Sequence, residues 1–330
     1  MIRFALIVAS VLGFALTAAL GNLMVPMLRE LERGPAEPEK QQNVPTMGGL
    51  CLMVGMLAAV GVGWVAACIA QPQLLGGQDR MMSRLLIGLF GSLAFGGIGL
   101  ADDLARLRSR SPLGLRRGTR LLLEAGAGAV VLVLLGANGC LAGGMALPGA
   151  GYVGLGVLAP LLWEAELVAL AESVRITDEM DGLCCGTAFA AMLGLMLCMT
   201  VLGWFPLAVL PAALAGALMA FLLWNFPPAK LRLGSVGSLF LAGALGCIPL
   251  CIGWPDLALP LGLPYWLEGG MVFLQIVIYK LSHGRKQLFR TAPLHRWMEV
   301  RGSGSVQIFY AFCAAALLGA ALALQWAKIS

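Results

Sequence analysis

The chain has 330 residues, of which 59% are hydrophobic and 12% charged, with a net charge of +5 and a mean hydropathy of +0.87. Soluble domains are roughly 25% charged, so an ordinary soluble enzyme is excluded. Nine cysteines with no paired CxxC spacing and only two histidines argue against a disulfide framework or a zinc site.

In chain order, apolar runs of the ~17–25 residues that span a bilayer lie near 2–28, 46–70, 82–101, 120–137, 150–171, 183–203, 205–225, 235–253, 266–281 and 306–327. A β-barrel would instead show short alternating segments. The first run is apolar from Phe4 to Met27, beyond the ~7–15 residues of a signal-peptide core, and reads as a span. The segments 28–46, 102–120, 173–182, 226–234 and 280–305 hold 18 of the 22 Lys and Arg, which makes them the cytoplasmic loops. The expected architecture is therefore all-α: a polytopic integral membrane protein of about ten transmembrane helices, one domain over 1–330, with both termini outside. The bilayer is the expected environment, and no nucleic-acid partner is expected.

Acidic residues concentrate in or beside the same inner loops. Asp102 and Asp103 close the run Leu85–Ala101, and Arg106, Arg108, Arg110, Arg116, Arg117 and Arg120 follow. Such a pair can hold Mg²⁺ against a substrate phosphate, or can simply mark the membrane boundary. In Ser173–Leu183, Asp178 and Asp181 stand at i, i+3, on one face of a helix. Arg175 and Glu179 are spaced to pair, and Thr177 or Asp178 would otherwise cap the next span. Between Trp224 and Leu239, after Asn225 and two prolines, the Gly-Ser turn around Ser235 opens a helix whose first N–H groups favour a phosphate. Close packing accounts for those glycines equally well. The last inner loop carries Arg285, Lys286, Arg290, His295, Arg296, Glu299 and Arg301, a set suited to anionic lipid or to a pyrophosphate.

Five motifs in order resemble the phospho-N-acetylmuramoyl-pentapeptide transferase branch of the polyprenyl-phosphate N-acetylhexosamine-1-phosphate transferase superfamily. Pro45–Gly49 is similar to its PTMGG, and Asp102-Asp103 with Leu113-Gly-Leu to its acidic segment and trailing loop. Thr177–Leu183 is similar to TDGLDGL, Leu233–Leu239 to MGDxGSL, and Ala292–Glu299 to APLHHHFE. The resemblance implies a Mg²⁺-dependent enzyme of the bacterial inner membrane with its active site on the cytoplasmic face. It would join UDP-MurNAc-pentapeptide to undecaprenyl phosphate, giving lipid I and UMP; homodimerisation stays open. By position, Asp102 and Asp103 would bind Mg²⁺ or deprotonate the lipid phosphate, and His295 would contact phosphates or sugar. Asp178 and Asp181 would line the uridine–diphosphate pocket, with Thr46, Asn225, Ser235, Arg296 and Glu299 completing the substrate-binding set.

The chain departs from the pattern at defined places. Ser235 stands for the MGD aspartate, and Arg296 and Trp297 replace two of three histidines. Glu179 replaces a glycine, and Glu172 and Arg175 stand where asparagines are expected. Removing one carboxylate takes about one charge from a metal shell, which Glu172 would have to restore. The alternatives are a homologue that binds nucleotide or lipid, or scaffolds, without turnover, and a transporter.

Overall fold

Inside a bilayer every backbone N–H and C=O needs an internal partner, and the apolar runs meet this as helices. The computed structural model describes residues 2–32, 44–76, 80–109, 114–147, 151–283 and 287–329. Glu37, Glu39, Arg110, Leu113, Arg285 and Lys286 lie outside the described residues. The main helices are α1 (Ile2–Glu32), α2 (Gly49–Ala70), α3 (Met81–Ser109), α4 (Arg117–Ala137), α5 (Ala159–Thr177), α6 (Leu183–Val201), α7 (Val209–Asn225) and α8 (Gly234–Cys251). Short α9 (Ala258–Leu261), α10 (Leu263–Leu281), short α11 (Leu294–Val300) and α12 (Ser305–Ile329) complete them.

Among the described residues, seven helices are long and apolar enough to cross a membrane. An eighth crossing is formed if Pro255–Leu261 and Leu263–Leu281, bent by 83° at Gly262, count as one. Helices occupy all ten expected regions, but not all qualify as spans. α7 has 17 residues, about 25 Å of helix against a hydrocarbon core of roughly 30 Å. α5 carries Glu164, Glu166, Glu172 and Arg175.

The expected run 150–171 is divided. Residues Gly144–Leu147 (β1) and Gly151–Gly154 (β2) form an antiparallel hairpin, with Leu147 opposite Gly151, and α5 starts only at Ala159. Trp326 Nε1 donates to the Ala146 carbonyl and Trp163 Nε1 to the Ala142 carbonyl (2.9 Å), tying the hairpin to α12 and α5. At the bend before α10, Trp266 Nε1 donates to the Ala258 carbonyl at 3.1 Å, a second bond to an oxygen that also accepts the Gly262 N–H (2.9 Å).

α8 is the centre of the bundle: every residue from Ser235 to Cys251 is buried. Lipid supplies no hydrophobic drive between helices, so close approach through small residues does the packing. A Cβ on Gly99 of α3 would run into the backbone carbonyl of Ser235 at the start of α8, and one on Gly49 of α2 would strike Gly237. These crossings fix the cytoplasmic end of α8 against the end of α3 that carries Asp102 and Asp103. Gly99→Leu is expected to lower stability by about 1–3 kcal/mol through overpacking, read as an earlier thermal melt of the detergent-solubilised protein. An unchanged melt would show that this crossing has room to spare.

Candidate active site

Asp102 and Asp103 are buried where α3 meets α8. Gly234, at φ +76°, turns the chain so that α8 begins directly over the carboxylates. Asp103 Oδ1 accepts the Ser235 N–H (3.2 Å) and Asp103 Oδ2 the Val236 N–H (2.9 Å). The anion at this helix start is thus a side chain of the protein, placed where the helix dipole favours negative charge. Asp102 Oδ1 accepts the Leu115 N–H (2.8 Å), while Asp102 Oδ2 accepts the Ser235 hydroxyl (2.7 Å) and Arg106 Nη2 (3.1 Å). Arg106 also reaches Ser235 Oγ at 3.2 Å and stands 3.8 Å from Asp103 Oδ1.

That geometry does not fit a divalent cation. Mg²⁺ demands a near-octahedral shell of oxygens, whereas all four carboxylate oxygens here already accept hydrogen bonds. The Arg106 guanidinium stands at the pair where a cation would neutralise it. Among the described residues, no three His, Cys, Asp or Glu side chains are grouped to hold a metal. Glu172 supplies no substitute carboxylate, because Arg120 (2.9 Å) and Arg175 (3.3 Å) take its oxygens between α4 and α5.

In front of the pair lies a cavity of about 250 Å³, lined by Thr46, Arg106, Arg175, Asp178, Arg232 and Ser235 among others. A wider hollow of about 730 Å³ shares Glu179 and Arg232 with it and adds Asp181 and Glu299. On the other side, an apolar groove of about 490 Å³ runs between α5 and α10 past Val168, Trp266, Val272 and Phe273. Its polar end holds Arg117, Glu172 and Ser173, and Ile176 lines both groove and cavity.

Asp178 and Asp181 do not share a helical face. α5 ends at Thr177, and a turn leads to Gly182, at φ +76°. Thr177 donates to the Ser173 carbonyl within α5 (2.9 Å), so neither it nor Asp178 caps α6. Burial pushes the Asp178 carboxyl well above its usual range, and Asp103 acts in the same direction. Asp181 accepts from the Ala229 N–H (3.1 Å) and from Arg232 (3.2 Å). Asn225 clasps two loops: its Oδ1 accepts the Gly182 N–H (3.1 Å) and its Nδ2 donates to the Leu231 carbonyl (2.9 Å). Thr46 donates through both N–H and hydroxyl to Glu32 Oε1 (2.8 Å each) while lining the cavity.

His295 is buried, and its orientation comes from a residue that the sequence reading did not single out. Glu268, fully buried in α10, accepts the backbone N–H groups of Leu294 and His295 (both 3.0 Å) and faces His295 Nδ1 at 3.2 Å. With the carboxylate as acceptor, Nδ1 is the donor to Glu268, and Nε2 is turned to Glu179, 3.6 Å away. A lone acid inside an apolar span was the available signal. Glu179 pairs with Arg296 at 2.8 Å, and Arg175 with Glu172, so the expected Arg175–Glu179 pair does not form. Arg296 and Glu299 are exposed, lining a hollow of about 410 Å³ with His295.

The model for glycosyl transferase family 4 matches residues 85–253. The phospho-N-acetylmuramoyl-pentapeptide-transferase of Acaryochloris marina is 34% identical, over 93% of this chain and 83% of its own length. Those of Clostridium beijerinckii (30%; 92% and 90%) and Geobacillus kaustophilus (29%; 97% of both) are similar over almost their whole lengths.

Two measurements check the site. Glu268→Gln retains the shape but loses the charge that orients His295. It is expected to move the ring ¹⁵N signals of His295 and to lower kcat/KM by about tenfold, or 1.4 kcal/mol; unchanged ring signals would refute the orienting role. The second concerns Asp178. A carboxyl whose pKa is raised on folding opposes the folded state once pH exceeds its unfolded value near 3.9, and the penalty grows until the folded pKa is passed. Asp178→Asn should therefore melt higher than the parent at neutral pH, with the gain vanishing toward pH 4. A gain that is constant with pH would rule out the ionisation as its source.

Proposed function

The chain belongs to glycosyl transferase family 4, and we propose that it is a multi-pass phospho-sugar transferase of the bacterial inner membrane, acting in peptidoglycan synthesis at the cytoplasmic face. The relatives' names give the transferred group, phospho-N-acetylmuramoyl-pentapeptide; the motif resemblance implies UDP-MurNAc-pentapeptide as donor and undecaprenyl phosphate as acceptor. One observation carries the reading: the groove between α5 and α10 and the arginine-lined cavity meet at Ile176. A polyprenyl chain suits the apolar groove, and its phosphate would then emerge among Arg106, Arg175 and Arg232. The donor diphosphate fits the same cations, and the wider hollow past Glu179 and Arg232 leaves room for the nucleoside and the sugar-peptide.

An oxygen of the lipid phosphate attacks the sugar-linked phosphorus. A new P–O–P bond forms, the bond to UMP breaks, and UMP leaves with the electron pair. No proton need move. A phosphate monoester has a second pKa near 6 and is largely dianionic at neutral pH, so the nucleophile needs no base. Asp102 and Asp103 then act by holding Arg106 and the start of α8, rather than by deprotonation. Catalysis of this kind is mostly positioning and charge stabilisation. The Mg²⁺ expected from the resemblance has no fitting site at these carboxylates.

A second reading has its own support. The hydrogen-bonded aspartates, with Ser235 between them, would equally suit a relative that binds nucleotide and lipid without turnover. UMP release from both substrates by the purified protein separates the two. Turnover is expected; its absence in a folded preparation that still binds UDP would establish the binding reading. Ile176→Trp should block the junction, cutting lipid-dependent UMP release at least about tenfold while UDP binding persists. Full turnover in that variant would dismiss the groove as the acceptor path.

A further inference from the structure

Resting on that reading of the site as a diphosphate cavity, we infer that Arg106 is its resident cation, so that this chain binds the nucleotide diphosphate without a divalent metal. Three features converge. Arg106 joins both aspartates and Ser235 in one network, at 3.1 Å from Asp102, 3.8 Å from Asp103 and 3.2 Å from Ser235 Oγ. Its side chain remains 37% exposed and lines the cavity, so one guanidinium serves the buried carboxylates and faces the place for a ligand. The charges also come to within about half a unit of neutrality without a metal. Two carboxylates stand against one guanidinium and the N–H groups of the α8 start, whose dipole is worth roughly half a positive charge. A third carboxylate at position 235 would unbalance the set and call for a divalent ion. Ser235 instead donates its hydroxyl to Asp102 and receives a bond from Arg106. A planar guanidinium is suited to phosphate oxygens, permanently charged and weakly hydrated.

The test uses the full-length protein in detergent, with Mn²⁺ as an electron paramagnetic resonance probe standing for Mg²⁺. No saturable Mn²⁺ site is expected in the parent. The double variant Arg106→Gln/Ser235→Asp, which removes the guanidinium and adds a carboxylate, is expected to acquire one. One Mn²⁺ bound to the parent and lost in Asp102→Asn would overturn the inference. Failure of the double variant to bind would also overturn it, since the guanidinium would then not be what excludes the metal. UDP titrated by calorimetry gives a second readout. Its Kd should differ by less than about twofold between EDTA and millimolar Mg²⁺, and a tenfold tightening by Mg²⁺, about 1.4 kcal/mol, would contradict resident-cation binding. These readouts do not require turnover. A protein that binds UDP without metal yet releases no UMP would uphold this inference while the transferase reading fails.

Discussion

The bonds from Asp103 to the first N–H groups of α8 hold the site together. A buried carboxylate without partners would cost several kcal/mol, and an unsatisfied helix start would add to it; each solves the other's problem. For the two to meet, α3 and α8 must cross at backbone contact, which is why Gly99 abuts the Ser235 carbonyl. The positive φ of Gly234 turns the chain at the same point. Asp102, one residue earlier on α3, then reaches Ser235 Oγ and the Leu115 N–H, placing the loop before α4. Arg106, one turn later, is left beside both acids. The cavity wall follows from a single helix crossing.

Four of the six positions where this chain leaves its family's pattern pair with one another, Glu172 with Arg175 and Glu179 with Arg296. Ser235 lies between Asp102 and Arg106. Glu172 binds both Arg175 and Arg120, while Glu179 binds Arg296 and faces His295. These links differ in weight. Glu179–Arg296 joins side chains that are both about half exposed, where ion pairs contribute about 0–1 kcal/mol. Arg120–Glu172 is mostly buried, and removing one member of such a pair costs on the order of 3–5 kcal/mol. Asp102, Asp103, Glu172, Ser235 and His295 leave no buried oxygen or nitrogen without a partner among the described residues, whereas Arg106 Nε and both Glu124 oxygens are buried without a hydrogen bond.

Legibility in the sequence followed the range of the forces involved. Helices α1 to α4, α6, α8 and α12 were readable because lipid imposes its length locally on each run. Asp102-Asp103, Asp181 and His295 stood out as candidates because charged residues in an apolar chain are conspicuous. The strands Gly144–Leu147 and Gly151–Gly154 abut and enter an apolar run that reads as a span, and the two tryptophan ties beside them come from other helices. The end of α5 at Thr177 was hidden as well: Asp178 and Asp181 have helical spacing, but the turn to Gly182 is secured by Asn225, 43 residues away. Asn225 itself was expected at substrate and is committed to this clasp. Glu268 was overlooked because its partner, the His295 segment, is 27 residues further on.

Both substrates of a phosphate-on-phosphate transfer are anions, so the site must first overcome their repulsion. Two unit charges 4 Å apart repel by about 4 kcal/mol at an effective dielectric of 20, and an acceptor monoester with nearly two charges meets a donor diphosphate with one on each phosphate. Arg106, Arg175 and Arg232 around a cavity of about 250 Å³ oppose that repulsion from three elements at once. Arg232 is held by Asp181 and Arg175 by Glu172, so the acids fix where the cations point without filling the cavity themselves. An arginine supplied to a phosphoryl-transfer site can accelerate it by about 10³–10⁵, which makes guanidinium groups sufficient agents of chemistry as well as of binding. What they do not do is follow the migrating charge as a bridging metal does. Rate should therefore depend on how firmly the carboxylates fix the arginines, and the buried pair at the start of α8 is the firmest of those anchors.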